Sequence, residues 1–324
     1  RDLAGRAPHL DGHVARRAPG AEQVVGLPGI AAEQRRLVVH LAAAGGNIAA
    51  HVQDSLLRGF TPAGTDLVVP GAAPATRQVV SGLVVGASTV DDADPAVLRL
   101  LVPGDTAATA HITMLGADGV VALPGADSID VAPGEVTDVP LGGLPAGAYT
   151  AVVDAPVPLV AAAMITRPGL PGELDDTPTL ERAWAASASA SATSGAGSLV
   201  AVPRGTAASL VLAAVADGDD PSAGGAVTAN LRALGPHGGV LAERTVSVTA
   251  GSTTLVDVAS LGLGVTGIEL EPARDNPTGV TFAWSLLVTV TQPDGMLLSV
   301  LLPTPDGQDV TQVPVRAGTR LGLG

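Results

Sequence analysis

The 324-residue chain has no cysteine and no lysine, and only five aromatic side chains: Trp184, Trp284, Tyr149, Phe60 and Phe282. Without cysteine there is neither a disulfide framework nor a thiolate metal site. An oxidising compartment permits disulfides without requiring them, so the compartment stays open on this count. All 17 basic residues are arginine against 31 acidic ones, a net charge of −14. Nucleic acid and anionic membrane surfaces both need clustered cations, and this balance argues against either as a partner. No stretch of 18 or more apolar residues occurs and Arg1-Asp2-Leu3 does not open a signal peptide, so membrane insertion by this fragment is not expected.

What the chain has in quantity is small and branched aliphatic residues. Apolar side chains make up 46% of it and aromatics 2%. Cores filled by Val, Leu, Ile and Ala suit thin layers of sheet on sheet. One stretch recurs. In Pro133-Gly134-Glu135-Val136-Thr137-Asp138-Val139-Pro140-Leu141-Gly142-Gly143-Leu144, apolar residues fall five, seven and ten places after the glycine. Val25, Leu27 and Ile30 repeat the spacing after Gly20, and Val256, Val258 and Leu261 repeat it after Gly251. The glycines lie 114 and 117 residues apart, a period of whole domains rather than of a solenoid. Glycine supplies the positive φ of a tight turn, and apolar residues two apart then share one side of a pleated strand.

Each copy continues with a second pair of strand-like runs: 37–41 and 48–52, 149–153 and 159–165, 267–271 and 280–290. Upstream, Val102-Pro103-Gly104-Asp105-Thr106-Ala107-Ala108 pairs with Val202-Pro203-Arg204-Gly205-Thr206-Ala207-Ala208, and 110–115 pairs with 227–234. About seven short strands per 100 residues, with turn residues at every join and no segment of helical period, predict an all-β chain of tandem immunoglobulin-like antiparallel β-sandwiches. The predicted division is a partial sandwich over 1–66 (a truncated first repeat), a connector over 67–95, a sandwich over 96–168, a connector over 169–198, and a sandwich over 199–324 with C-terminal strands at 296–302 and 310–315. The half-sandwich is expected to pack on the second unit; borrowing a C-terminal strand or pairing with another molecule are the alternatives.

The phrases Ala49-Ala50-His51-Val52-Gln53-Asp54-Ser55 and Gly59-Phe60-Thr61-Pro62-Ala63-Gly64-Thr65-Asp66, with the repeats, resemble an uncharacterised actinobacterial family of secreted or membrane-anchored tandem β-domain proteins. The resemblance implies an envelope-facing location, with any signal or anchor in a segment not in this chain. The family has no established activity and so transfers no catalytic residue.

Few residues suggest chemistry. Gly262-Leu263-Gly264-Val265-Thr266-Gly267 has dinucleotide-loop spacing, but the residues after it alternate like a strand where such a loop needs a helix. Ser198 after Gly195-Ala196-Gly197 does not form a nucleophile elbow. His40, His51 and His111 fall in strand-like runs without the spacing of metal ligands. Asp217, Asp219 and Asp220 offer oxygen ligands to Ca²⁺ but lack the order and the distal glutamate of an EF-hand loop, so they form a weak calcium candidate beside a solvated acidic turn. No other cofactor is expected. The resulting expectation is a non-catalytic extracytoplasmic scaffold or interaction protein of the bacterial envelope, whose partner is an envelope protein or a glycan. A carbohydrate-binding module is the alternative, favoured if Trp184 and Tyr149 stand exposed on one face; an enzyme ranks third.

Overall fold

The computed structural model describes residues 24–27, 36–42, 48–171, 177–188, 197–218, 220–293 and 295–305. All long elements among them are strands, in the tandem antiparallel sandwiches that the sequence predicts. A hairpin comes first, β1 (Val52–Arg58) and β2 (Thr61–Val68). The central sandwich follows: β3 (Ala75–Val85), β4 (Val97–Leu101), β5 (Ala108–Gly116), β6 (Gly119–Val121), β7 (Ser128–Val131), β8 (Thr137–Pro140), β9 (Gly147–Pro171) and β10 (Pro178–Ala186). The C-terminal sandwich contains β11 (Ser198–Ala201), β12 (Ala207–Ala216), β13 (Ala226–Leu234), β14 (Val240–Thr249), β15 (Thr253–Asp257), β16 (Gly267–Pro272), β17 (Val280–Gln292) and β18 (Gly295–Leu301), closed by the short β19 (Thr304–Pro305).

The two sandwiches are copies of one topology. In the central one, β9 belongs to both sheets: its first half pairs with β3 and β5, its second half with β4 and β10. In the C-terminal one the same path is cut in two. β16 pairs with β11 and β13, and β17 pairs with β12 and β18. Each unit also ends alike, because the chain leaving its last strand crosses back to the edge of its first: Ala188 bridges Val79 and β19 pairs with β11. β4 beside β8 and β5 beside β9 match strands B and E, and C and F, of an immunoglobulin sandwich, while β3 and the second half of β9 exchange sheets relative to that plan. The Tyr149 hydroxyl donates to the Pro145 carbonyl at 2.9 Å, the tie that the tyrosine corner of such domains makes.

The recurring motif is a turn and a strand in both copies that are described. Gly134 and Gly251 have φ of 69° and 77°, and their N–H groups donate to Val102 and Ala214 carbonyls, each at 2.8 Å. Val139, Leu141 and Leu144, like Val256, Val258 and Leu261, are buried. In the first copy the motif fails: Val25 is exposed, no strand forms over 24–26, and Gly20 and Ile30 lie outside the described residues.

Four further expectations need correction. The expected hairpin of 37–41 with 48–52 is absent; residues 36–42 and 48–51 form no strand, and the chain instead turns at Gly59 (φ 61°), where the tight reversal needs a left-handed residue. The supposed connector 67–95 contains β3, a strand buried on both faces, whose glycine signal at Gly82 marks a bulge rather than a loop. The supposed connector 169–198 contains β10, which reads as polar because Glu181, Arg182 and Trp184 meet the hairpin and the C-terminal strand. The match of Val102 to Val202 is one strand out of step: Val102 follows β4, Val202 follows β11, and the counterpart of β4 is β12. The match of 110–115 to 227–234 holds, as β5 and β13. Of the two C-terminal strands, the first is β18; residues 310–315 lie outside the described residues.

The sandwiches are welded by more than a linker. Val79, Leu115 and Val152 of the central unit form one buried cluster with Ala213, Val215 and Ala283 of the C-terminal unit. Leu298 and Val300 of β18 enter the central core itself. Arg77 holds the Asp154 carboxylate at 2.6 and 3.1 Å and donates to the Ala216 carbonyl at 2.9 Å, and Thr253 Oγ1 donates to the Leu115 carbonyl at 2.7 Å. No helix of the described residues is long and apolar enough to cross a membrane.

Candidate functional site

A dense polar constellation among the described residues lies where the edges of three sheets converge, at β2, β10 and β18. Backbone amides of an edge strand that point away from its sheet need acceptors when the edge is buried. Two carboxylates supply them. Asp66 accepts from the Trp184 N–H at 2.6 Å and from the Ser299 hydroxyl at 3.3 Å. Glu181 accepts from the Leu298 N–H. Burial raises the pKa of both. For Asp66 the amides of Trp184 and Leu67 and the Ser299 hydroxyl oppose the rise, and Asp54 adds to it. For Glu181 burial leads, the charge of Asp66 adds, and the Leu298 amide and Arg182 oppose; the carboxyl reaches about 6.

The seam continues outward along β10. The Trp184 indole N–H donates to Asp54 Oδ2 at 2.9 Å, and Arg182 pairs with the same oxygen at 3.3 Å. The Arg99 guanidinium lies 4.8 Å from the centre of the Trp184 ring and grips Asp138 with two bonds of 2.7 and 2.9 Å. Asp138 also meets Arg36 at 3.4 Å. Gly64 makes the close approach possible, since a Cβ there would sit 2.8 Å from the Arg182 nitrogen. These groups pair with one another or with strand-edge amides, an arrangement suited to fixing three modules in register.

The residues singled out from the sequence do not converge. His40, His51 and His111 are exposed, and no hydrogen bond or ion pair among the described residues joins them. His111 borders an open depression of about 580 Å³ with Thr109, Asp154 and Pro156, whose one acid is held by Arg77. Of the calcium candidates, Asp219 lies outside the described residues. Asp220 accepts from the Ser222 N–H and hydroxyl at 2.9 and 2.7 Å, which lowers its pKa, and the Asp217 N–H donates to the Gly279 carbonyl. The described residues include no group of three or more His, Asp or Glu set to hold a metal. The 262–267 glycine run leads directly into β16, and a pyrophosphate loop requires a helix there. Trp184 and Tyr149 are buried rather than displayed, and Trp284 fills the C-terminal core with its indole N–H on Ser198 Oγ at 2.8 Å.

Sequence reasoning missed Asp54, Asp66, Glu181 and Arg182. The available signal was charge inside an alternating apolar strand, Thr65-Asp66-Leu67 and Leu180-Glu181-Arg182-Ala183, which marks a protected edge.

Residues 9–259 match the model of a family of unknown function (DUF5719). The chain belongs to that family. None of the curated proteins matches it. Among solved structures, one of Thermotoga maritima 1070 is 18% identical, with 35% of this chain and 93% of that one covered and a TM-score of 0.25. Structures of infectious bursal disease virus, strains Gt and Gx, are 14% and 12% identical and cover 82% and 81% of this chain and 84% of theirs, with TM-scores of 0.19 and 0.16.

Proposed function

We propose that this member of the family is a non-catalytic scaffold or interaction protein working outside the cytoplasm at a bacterial envelope. The observation that carries the reading is the use made of the acids and arginines that come together. Asp54, Asp66, Asp154 and Glu181 each meet an arginine or a strand-edge amide at a junction between modules, none facing a deep enclosed site of the kind catalysis requires. A body of two sandwiches sharing a core holds its outer surfaces at fixed separation, as a scaffold must. The net charge of −14 keeps an apolar-rich chain soluble and disfavours nucleic acid.

Location is tested by shaving intact cells of the native host with a protease: loss of the protein supports the reading, and survival until lysis rejects it. The carbohydrate-binding alternative loses its specific support, because Trp184 is 8% and Tyr149 4% exposed and neither offers a stacking platform. Titration with soluble peptidoglycan fragments, followed by tryptophan fluorescence, is expected to give no change. A saturable change would restore that alternative.

A further inference from the structure

The β1–β2 hairpin forms a two-stranded sheet of its own, and no ladder joins it to β9, β10 or β18. Side chains tie it down instead. Asp66 accepts from the Trp184 N–H and the Ser299 hydroxyl, Asp54 engages the Trp184 indole and Arg182, and Arg58 at the end of β1 pairs with Asp94. A lone two-stranded hairpin is marginally stable in water, so its order depends on this docking. The chain leaves it through Val69-Pro70-Gly71-Ala72-Ala73-Pro74, anchored where the Ala72 N–H donates to the Ser187 carbonyl at 2.9 Å. Releasing the hairpin about that segment breaks no ladder to its neighbours.

Docking gathers like charges. β1 brings Asp54, β2 brings Asp66 and β10 brings Glu181, while β18 has no titratable side chain and offers only the Leu298 N–H and the Ser299 hydroxyl. The nearby arginines do not balance them. Arg182 pairs with Asp54, and its buried Nε meets no acceptor. Arg167 of β9 stands across the ladder from Glu181 but donates to the Val84 carbonyl at 2.6 Å, and Arg99 beside Trp184 is taken by Asp138. Asp66 and Glu181 are thus left with amides and a hydroxyl for partners, each raised by burial and Glu181 further by the charge of Asp66, to about 6.

The sign of the coupling follows. Releasing the hairpin returns Asp66 to water and withdraws its charge from Glu181, so both carboxyls fall back toward their ordinary range. The docked state therefore binds protons that the released state gives up, and docking strengthens as pH falls through about 6 and weakens as pH rises through it.

We propose that the β1–β2 hairpin is a proton-operated clasp, closed over β10 in mild acid and loosened when Asp66 and Glu181 are both ionised. Loosening bares the Trp184 amide and the β10 edge while the sandwiches stay joined through Val79, Leu115, Ala213 and Val215. One end of the scaffold then answers to the acidity around it. The clasp does not depend on where the protein works, and the protease-shaving result leaves it untouched.

The test is amide hydrogen exchange of the whole chain, read at the Trp184 amide and across 52–68 and corrected for the intrinsic rate at each pH. At about pH 7.5 both should exchange well ahead of β12 and β17, because the clasp opens while the sandwiches remain folded. From there to about pH 5 their protection is expected to rise at least about threefold. Asp66→Asn/Glu181→Gln keeps acceptors for the Trp184 and Leu298 amides but removes both charges, so its protection should stay level, with slow exchange in β12 showing an intact fold. Glu181→Gln alone, the milder change, should shrink the rise. Histidines as a class change charge in this range, and His51 directly precedes β1, so His51→Ala is the control and should keep the full rise. Hairpin exchange in step with β12 and β17, protection that ignores pH, a full rise in either charge-removing variant, or a rise lost in His51→Ala each overturns the proposal.

Discussion

The same sheet face meets opposite fates in the two sandwiches. In the central unit the row Val79, Val152 and Thr113 runs across β3, β9 and β5. In the C-terminal unit the corresponding row is Leu199, Glu269 and Arg232 across β11, β16 and β13. Val79 and Val152 are 1% and 5% exposed because the next sandwich lies on them, whereas Leu199 is 45% exposed. The backbone pairing is alike, so side-chain chemistry makes one face a joint and leaves the other charged and turned to solvent.

The largest test of that contrast is to charge the joint. Leu115→Asp buries an unpaired carboxylate in the shared cluster and is expected to cost at least about 4 kcal/mol, read as loss of cooperative unfolding of the two units in urea. Separate transitions with little total loss would show that the joint is not integral to the fold.

Closeness of approach is tested at Gly82, which has φ of 92° and a virtual Cβ only 2.6 Å from Ser285 Oγ and 2.7 Å from Val300 Cγ1. Gly82→Ala combines backbone strain with a wedge between the units, and a loss of about 2–3 kcal/mol in chemical denaturation is expected. The motif glycines give a finer comparison between the units. Gly134 has open space around a virtual Cβ, so Gly134→Ala costs about 1 kcal/mol from its positive φ alone. At Gly251 the Pro221 carbonyl oxygen stands 2.7 Å away, so Gly251→Ala costs about 2 kcal/mol. Equal melting shifts would contradict this asymmetry.

The seam adds a pH dependence. Glu181 in the native chain binds its proton up to about 6, above the ordinary value of 4.5, so the folded state holds that proton more tightly than the unfolded one. Stability is therefore gained as pH falls through about 6 and is complete below 4.5, and it is lost as pH rises through about 6. After allowance for solvent screening of a half-buried group the swing is about 1 kcal/mol, and Glu181→Gln should flatten that part of the melting profile between pH 7.5 and 4.5. A profile for the variant as steep as the native one would place the titration elsewhere. The smallest effect belongs to the solvent-facing sheet: Arg232→Ala should leave the midpoint of the same denaturation assay essentially unchanged, because water screens its ion pairs.

Local patterns were legible wherever residue type alone sets the structure. Gly134 and Gly251 needed positive φ, and Val139, Leu141 and Leu144 with Val256, Val258 and Leu261 needed a shared core side, so turn, strand and burial could be read without tertiary information. Single-strand matches were less secure. Val102-Pro103 and Val202-Pro203 share letters because each follows a strand that ends at an apolar residue, and the pairing partners that distinguish β4 from β11 are distant in sequence. The seam was hidden for a related reason. Asp66 meets Trp184 across 118 residues, and Asp54 meets it across 130, separations at which no local period survives.

By itself the sequence determined an all-β chain with thin aliphatic cores, a domain-length repeat and a strongly acidic charge, because turn geometry and alternate burial act over a few residues and composition acts over the whole. Tertiary structure decided the rest. It made β3 and β10 strands of a sandwich instead of connectors, carried Leu298 and Val300 into a neighbouring core, and turned the Asp66 and Glu181 carboxylates onto the open edges of foreign strands. Those outcomes depend on which apolar face finds a second face to exclude water, and that pairing is fixed only when distant segments meet.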